Sequence, residues 1–254
     1  MKKIILAIGL FTGLSFAATA QSNADQLKKC IQLATLGQCK EALGIVQGLL
    51  KQDSNNISYL EYNSYLLAKV WHDKEVDESQ STPYYNTALY LAKKALKKDS
   101  GDAEAHYAYA FVVGSLNEFA SHKQQIANAK IMKDEIDKCL KKDPGHSGAY
   151  HLLGRWCRRL AEFSGVEKFA VKALYGASLP EATYQDAVNA FEKAVVYSPD
   201  YLIHQYELAN TYYEMDKYSD AKIWLQKIIS NTTYKGDDAQ NVKDKAKKLL
   251  AKMD

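Results

Sequence analysis

An all-α fold, a solenoid of helical hairpins (an α–α superhelix), is predicted by three features of this 254-residue chain. Apolar residues recur at helical spacing, and no segment shows a convincing strand pattern. Paired apolar stripes joined by short polar breaks, such as Asp216-Lys217, repeat along the sequence. Small residues such as Ala209 and Ala221 fall where two antiparallel helices must approach closely. About five helix pairs are expected, the middle three enlarged, followed by a C-terminal capping helix.

Residues 1–20, MKKIILAIGLFTGLSFAATA, stand apart as a secretory signal peptide: a Lys2-Lys3 start, an apolar run, then Ala18-Thr19-Ala20 before Gln21. The run is short for a membrane span, and Lys28-Lys29 before Cys30 do not fit a lipoprotein cleavage site. Residues 21–254 then form one repeat domain. Cys30, Leu33, Ala42, Val46 and Leu49 make a first pair; Ala88, Ala92, Ala95 and Ser100 close the next. His106, Tyr109, Ala110 and Val113 open a third, whose second helix carries Met132, Ile136 and Cys139. A fourth starts at Tyr150, Leu153, Gly154 and Cys157, and resumes at Ala187, Phe191, Ala194 and Pro199. Its halves are about twenty residues further apart than in a typical unit, so 147–199 is an enlarged repeat with an insertion. Last, Leu208, Ala209, Tyr212, Ala221 and Leu225 fill the tetratricopeptide slots, with only Gln205 departing at the Trp position. The lysine-rich amphipathic tail 237–254 fits a cap.

Without Lys2 and Lys3 the chain carries 31 basic and 30 acidic residues, a net charge of +1. So balanced a charge gives no global field for nucleic acid or anionic membranes. Four cysteines remain for a compartment that permits disulfides, and Cys30 with Cys39 is the better candidate pair. Their spacings suit no zinc site.

Motifs that resemble catalytic or metal sites fail individually. Gly145-His146-Ser147-Gly148-Ala149 nearly spells a nucleophile elbow, but the last letter is wrong and Asp143-Pro144 precedes it instead of a strand. Asp73, Glu75, Asp77 and Glu78 lack the glycine of a calcium loop, and Tyr84 occupies the closing glutamate position. The six histidines include no His-x3-His pair, and there is no Gly-rich phosphate loop. No cofactor, metal or catalytic set is expected.

The three arginines of the chain, Arg155, Arg158 and Arg159, crowd into six residues. Arginine's planar fork suits bidentate contacts that lysine cannot make. With His151 one turn earlier they share a helix face, apart from an apolar stripe of Leu153, Trp156 and Leu160. The first helix of each pair lines the concave side of such an array. In the same phase, Tyr65, Lys69, Tyr107, Phe111, Tyr206, Asn210 and Tyr213 join the arginines there. An extended peptide bearing a carboxylate would suit this groove. The competing reading is structural: Arg158 pairs with Glu162, or Glu167, Glu181 and Asp186 of the insertion take the guanidinium groups.

Residues His151–Ala194 resemble the regulator of microtubule dynamics family. Shared features are Leu153-Gly154-Arg155-Trp156, Glu167-Lys168, Leu174-Tyr175-Gly176, Pro180, Thr183-Tyr184, Ala187 and Phe191. The similarity is expected from about Ala127 to the C-terminus and is generic before it. It implies an all-helical, non-enzymatic interaction module whose repeat is extended by an additional helical segment. Microtubule binding is not carried over, since an export signal and a near-neutral surface argue against it.

The sequence therefore points to an exported, periplasmic or secreted, protein- or peptide-binding solenoid. It is not expected to bind nucleic acid, or to enter the membrane once the signal is removed. A structural or oligomerising envelope subunit, using the convex face or the inserts, is the alternative. An enzyme assembled from distant repeats is the weakest, since no acid–base or metal set converges.

Overall fold

The computed structural model describes residues 22–74, 77–175 and 181–253. The expected signal peptide, Glu75, Gly176 and Pro180 lie outside the described residues, as do the side chains of Glu167, Leu174 and Tyr175.

Among the described residues five hairpins follow one another. They are α1 (22–35) with α2 (Cys39–Gln52), α3 (Ile57–His72) with α4 (Glu78–Lys98), and α5 (Ala103–Asn117) with α6 (His122–Lys142). Next, α7 (Ser147–Ala161) pairs with α9 (Tyr184–Tyr197) across the inserted α8 (Gly165–Tyr175). Then α10 (Leu202–Glu214) pairs with α11 (Tyr218–Ser230), and α12 (Ala239–Leu250) packs against both. Among the described residues none is in a strand, and no helix is long and apolar enough to cross a membrane.

The links between hairpins repeat a local solution. Asp53, Asp99 and Asp143 each follow a second helix, and each carboxylate accepts the N–H two residues on, at 3.0, 2.8 and 2.9 Å. The next helix then starts on a side-chain cap: Asn56, Asp102 or His146 accepts the N–H of the third residue beyond it. Caps satisfy donors that a helix start leaves open, and an Asp folded onto its own backbone turns the chain. The two motifs rejected as sites belong to helix starts of this kind. Asp77 caps α4, and Ser147 opens α7 with its hydroxyl 2.8 Å from that of Ser198.

Close approach inside the hairpins depends on missing side-chain volume. A Cβ at Gly154 would stand 2.6 Å from the Phe191 ring, so α7 and α9 meet through that glycine. Trp156 donates its indole N–H to the Ala129 carbonyl at 2.9 Å and ties α7 back to α6. The buried stripe of α7 runs through Leu152, Trp156 and Leu160; Leu153, expected there, is only half-buried.

All four cysteines are buried with free thiols, so the expected Cys30–Cys39 disulfide is not present. Cys30 donates instead to the Ala42 carbonyl at 3.4 Å, while Cys39 lies within the field of Lys69, Asp73 and Asp238. Each fills a slot in the α1–α2 core. Burial pushes their thiols up to about 11 and about 12, which leaves them unreactive.

The C-terminal segment returns to the first hairpin. The Asp237 N–H donates to the Gly37 carbonyl at 2.9 Å, and its carboxylate accepts the Lys40 N–H at 2.7 Å. Gly37 has φ +75°, a conformation glycine adopts without strain. The Tyr234 hydroxyl lies against both Gly37 and Gly236, where a Cβ would come within 2.1 Å of it. That hydroxyl donates to Asp238 at 2.8 Å, and Asp238 stands 3.6 Å from Lys69 of α3. The curved array is thus joined first hairpin to last.

One buried acid gives a pH-dependent expectation. Glu61, 3% exposed on α3, keeps a carboxyl oxygen without a hydrogen-bond partner. Burial, then the charges of Asp102 and Glu104, raise its carboxyl to about 8. Because the folded state holds this proton and the unfolded chain does not, stability falls as pH rises from about 4.5 towards 8. Glu61→Gln keeps the shape without the charge. It should leave Tm nearly unchanged at pH 5 and stabilise by on the order of 2 kcal/mol at pH 8, read from thermal melts.

Candidate functional site

The first helices of the hairpins, together with α12, line an open-sided cavity of about 680 Å³. Its lining follows the repeat phase. Helix α3 presents Tyr65, Lys69 and His72; α5 presents Tyr107 and Phe111. Helix α7 presents His151 and Arg155, α10 presents His204 and Tyr206, and α12 presents Lys245. Of the sequence-derived candidates, Tyr65, Lys69, Tyr107, Phe111, His151, Arg155 and Tyr206 therefore meet there.

The others do not line it. Arg158 is wedged between α7 and α10, where its guanidinium pairs closely with the Glu207 carboxylate. It also donates to the Glu207 carbonyl at 3.2 Å and the Thr211 hydroxyl at 3.3 Å. Both charged side chains are nearly buried, at 13% and 12% exposure. Burial opposes ionisation of Glu207, but Arg158 and then Arg155 hold its carboxyl below the usual range. Arg159 points to solvent, 67% exposed, with Glu162 at 2.8 Å. Asn210 lies off the cavity, and Tyr213 packs on Tyr218 at 5.7 Å between ring centroids. The three arginines thus diverge, because steps of three and four residues swing a side chain to opposite flanks of the 155 position. The partners expected for them are also corrected. Glu162 takes Arg159 rather than Arg158, and Asp186 caps α9 with Thr183.

Within the cavity the aromatic residues cluster. Tyr65 lies 5.0 Å from Tyr107 and 5.1 Å from Phe111 between centroids, the latter edge-on. The His72 ring continues the row, 6.3 Å from Phe111. Lys69 is held by Asp73 at 2.5 Å and Asp238 at 3.6 Å, so it joins α3 to the returning C-terminal segment. His151 and His204 bring their Nδ1 atoms to 3.0 Å, which requires one ring to donate and the other to accept. Burial first, and neighbouring positive charge second, hold both imidazoles well below their usual range. Arg155 approaches Glu118 at 3.5 Å, with both side chains more than a third exposed.

Sequence reasoning missed His72, Glu118, His204, Glu207 and Lys245. His72 stands in the phase that selected Tyr65, whereas His204 is two residues from Tyr206 and off its phase; four of the six histidines line the cavity. Glu118 lies just beyond α5, where helical phase predicts nothing.

A family model described as regulator of microtubule dynamics protein 1-3 matches residues 23–254. The chain belongs to that family. The match begins well before Ala127, where the motifs alone placed the start of similarity. The regulator of microtubule dynamics protein 1 of Bos taurus is 31% identical over 164 residues, covering 64% of this chain and 51% of that protein. The regulator of microtubule dynamics protein 3 of Rattus norvegicus is 29% identical over 197 residues, 75% of this chain and 42% of that protein. The chain thus spans about half the length of the curated relatives it matches. A thermophilic tetratricopeptide-repeat protein of Thermus thermophilus superposes with a TM-score of 0.60, covering 90% of this chain and 99% of that one. At 15% identity that likeness shows the fold: a tetratricopeptide-like solenoid. Arrays of this kind present extended concave surfaces, and the fold by itself does not supply a function.

Proposed function

We propose that this chain is an exported, non-enzymatic interaction protein that binds a protein or peptide partner through its concave face. The observation that carries the reading is the convergence of Tyr65, Tyr107, Phe111 and Tyr206 with Arg155 on one inner surface. Aromatic residues and arginine carry most of the binding energy at interfaces. Export rests on the expected signal peptide. The relatives are named for microtubule dynamics, but a net charge of +1 once the expected signal peptide is removed does not favour acidic tubulin tails, so tubulin is not the proposed partner.

The alternative, an envelope subunit that assembles through its insert, has its own observation. On α8, Val166 and Phe169 are 79% and 73% exposed. Partner capture from envelope extract separates the two, using wild type, Arg155→Gln and Phe169→Ser, each first shown to melt normally. The concave reading expects a partner lost by Arg155→Gln and kept by Phe169→Ser. The reverse result assigns binding to the insert.

A further inference from the structure

We propose that the cavity binds a compact zwitterion of the α-amino-acid class, a free amino acid with a large apolar side chain. Arg155 takes its carboxylate and Glu118 its ammonium. The inference rests on the concave face being a binding surface, and it names a small ligand for the cavity within that face.

Size is the first reason. The contacts of Asp237 with Gly37 and Lys40, and of Asp238 with Lys69, bring the C-terminal segment against the first hairpin and α3 beside the cavity. The volume of about 680 Å³ lies in the range of small-ligand pockets.

The ion pair is the second. Lys69 and Arg158 are held in close contacts by their own carboxylates. Arg155 and Glu118 stand 3.5 Å apart, beyond the length of a good charge-assisted hydrogen bond, and remain 38% and 42% exposed. In an α-amino acid the ammonium nitrogen and carboxylate carbon are about 2.5 Å apart, from the two bonds that join them through Cα. Laid antiparallel over the pair, the ligand sets its carboxylate on Arg155 and its ammonium on Glu118 without prising the two apart. Four alternating charges in a partly enclosed site attract more strongly than in open water.

The third reason is what adjoins the pair. His72 Nδ1 is 3.7 Å from the Glu118 carboxylate, and its ring abuts Phe111, which packs on Tyr65. Burial chiefly holds His72 down to about 4, so it is a neutral imidazole at pH 7. An apolar side chain on the ligand's Cα would lie against the edges that this row leaves in the cavity, Tyr65 and Phe111 being otherwise buried at 7% and 8% exposure.

Calorimetric titration tests the proposal with four probes: L-phenylalanine, the dipeptide Ala-Phe, N-acetyl-L-phenylalanine and L-phenylalanine amide. The free amino acid should bind; the dipeptide, whose ammonium and carboxylate are held apart by a second residue, and each half-charged derivative should be at least about tenfold weaker, the equivalent of one lost charged contact of roughly 1.4 kcal/mol. Arg155→Gln should bind the free amino acid only as weakly as wild type binds the amide. Glu118→Gln should bind it only as weakly as wild type binds the acetyl derivative. The ligand-side comparison needs no variant, so a misfolded protein cannot obscure it. If no probe binds, or if the acetyl derivative or the amide binds as tightly as the free amino acid, the proposal is overturned. The last two results assign the cavity to a chain terminus, carboxyl or amino respectively. Failure of all four probes while Arg155→Gln still loses a captured protein defeats this inference alone. Failure of both experiments removes the concave reading as well.

Discussion

Arg158→Ala is expected to destabilise the protein by about 3–5 kcal/mol, the cost of leaving a buried charge without its partner. The stranded group is Glu207, 12% exposed, which loses its guanidinium while remaining between α7 and α10. The Thr211 hydroxyl loses a donor as well, while the Glu207 carbonyl keeps the one from Thr211. Arg159→Ala, at a side chain mostly open to water, should cost no more than about 0.5 kcal/mol. Urea unfolding of both variants measures the contrast. The pH dependence supplies a second signature. Glu207 is depressed in the folded state, so its contribution is present above the ordinary carboxylate range and is lost as pH falls through the folded value. In Arg158→Ala this acid-side decline should shrink. Equal losses for Arg158→Ala and Arg159→Ala would contradict the inter-helix role.

Lys69→Met is expected to cost about 3 kcal/mol. It leaves Asp73 and Asp238 without the ammonium they share; the figure lies at the low end for a broken buried pair because Asp73 is 22% exposed. Burial opposes charge on Lys69, yet Asp73 and Asp238 keep its ammonium protonated beyond the usual range. Tm should fall by about 6–12 °C for a domain of this size. Amide exchange should accelerate at Asp237 and Tyr234, near the junction, before it accelerates in α5 or α7. Uniform acceleration across all helices would show that Lys69 supports the core in general and has no special part in the junction.

Much of the fold was legible because repeats announce themselves locally. Leu208, Ala209, Tyr212 and Ala221 define a hairpin within one window, and the same phase carried back finds the cavity wall at Tyr65, Tyr107 and His151. What escaped depends on contacts that no local window contains. Arg158 meets Glu207 across 49 positions, while its near neighbour Glu162 is drawn off by Arg159. Lys40 meets Asp237 across 197 positions. Gly37 offered a signal, since a lone glycine between two helical runs marks a positive-φ turn, but nothing local links it to Tyr234. The cysteines mislead for a related reason. Spacing brought Cys30 and Cys39 into one hairpin, and packing then used both as apolar filling.

The junction between the returning C-terminal segment and the first hairpin alters how this molecule comes apart. A linear repeat array frays from its termini, because a terminal unit has a neighbour on one side only. Here the first unit is flanked on both sides, by α3 and by Tyr234 to Asp238. Opening must therefore begin by breaking the seam or by rupturing an interior interface, both harder than peeling off a free end. Assembly meets the same topology in reverse: its last contacts close a loop of nearly the whole described chain, and such closures slow folding.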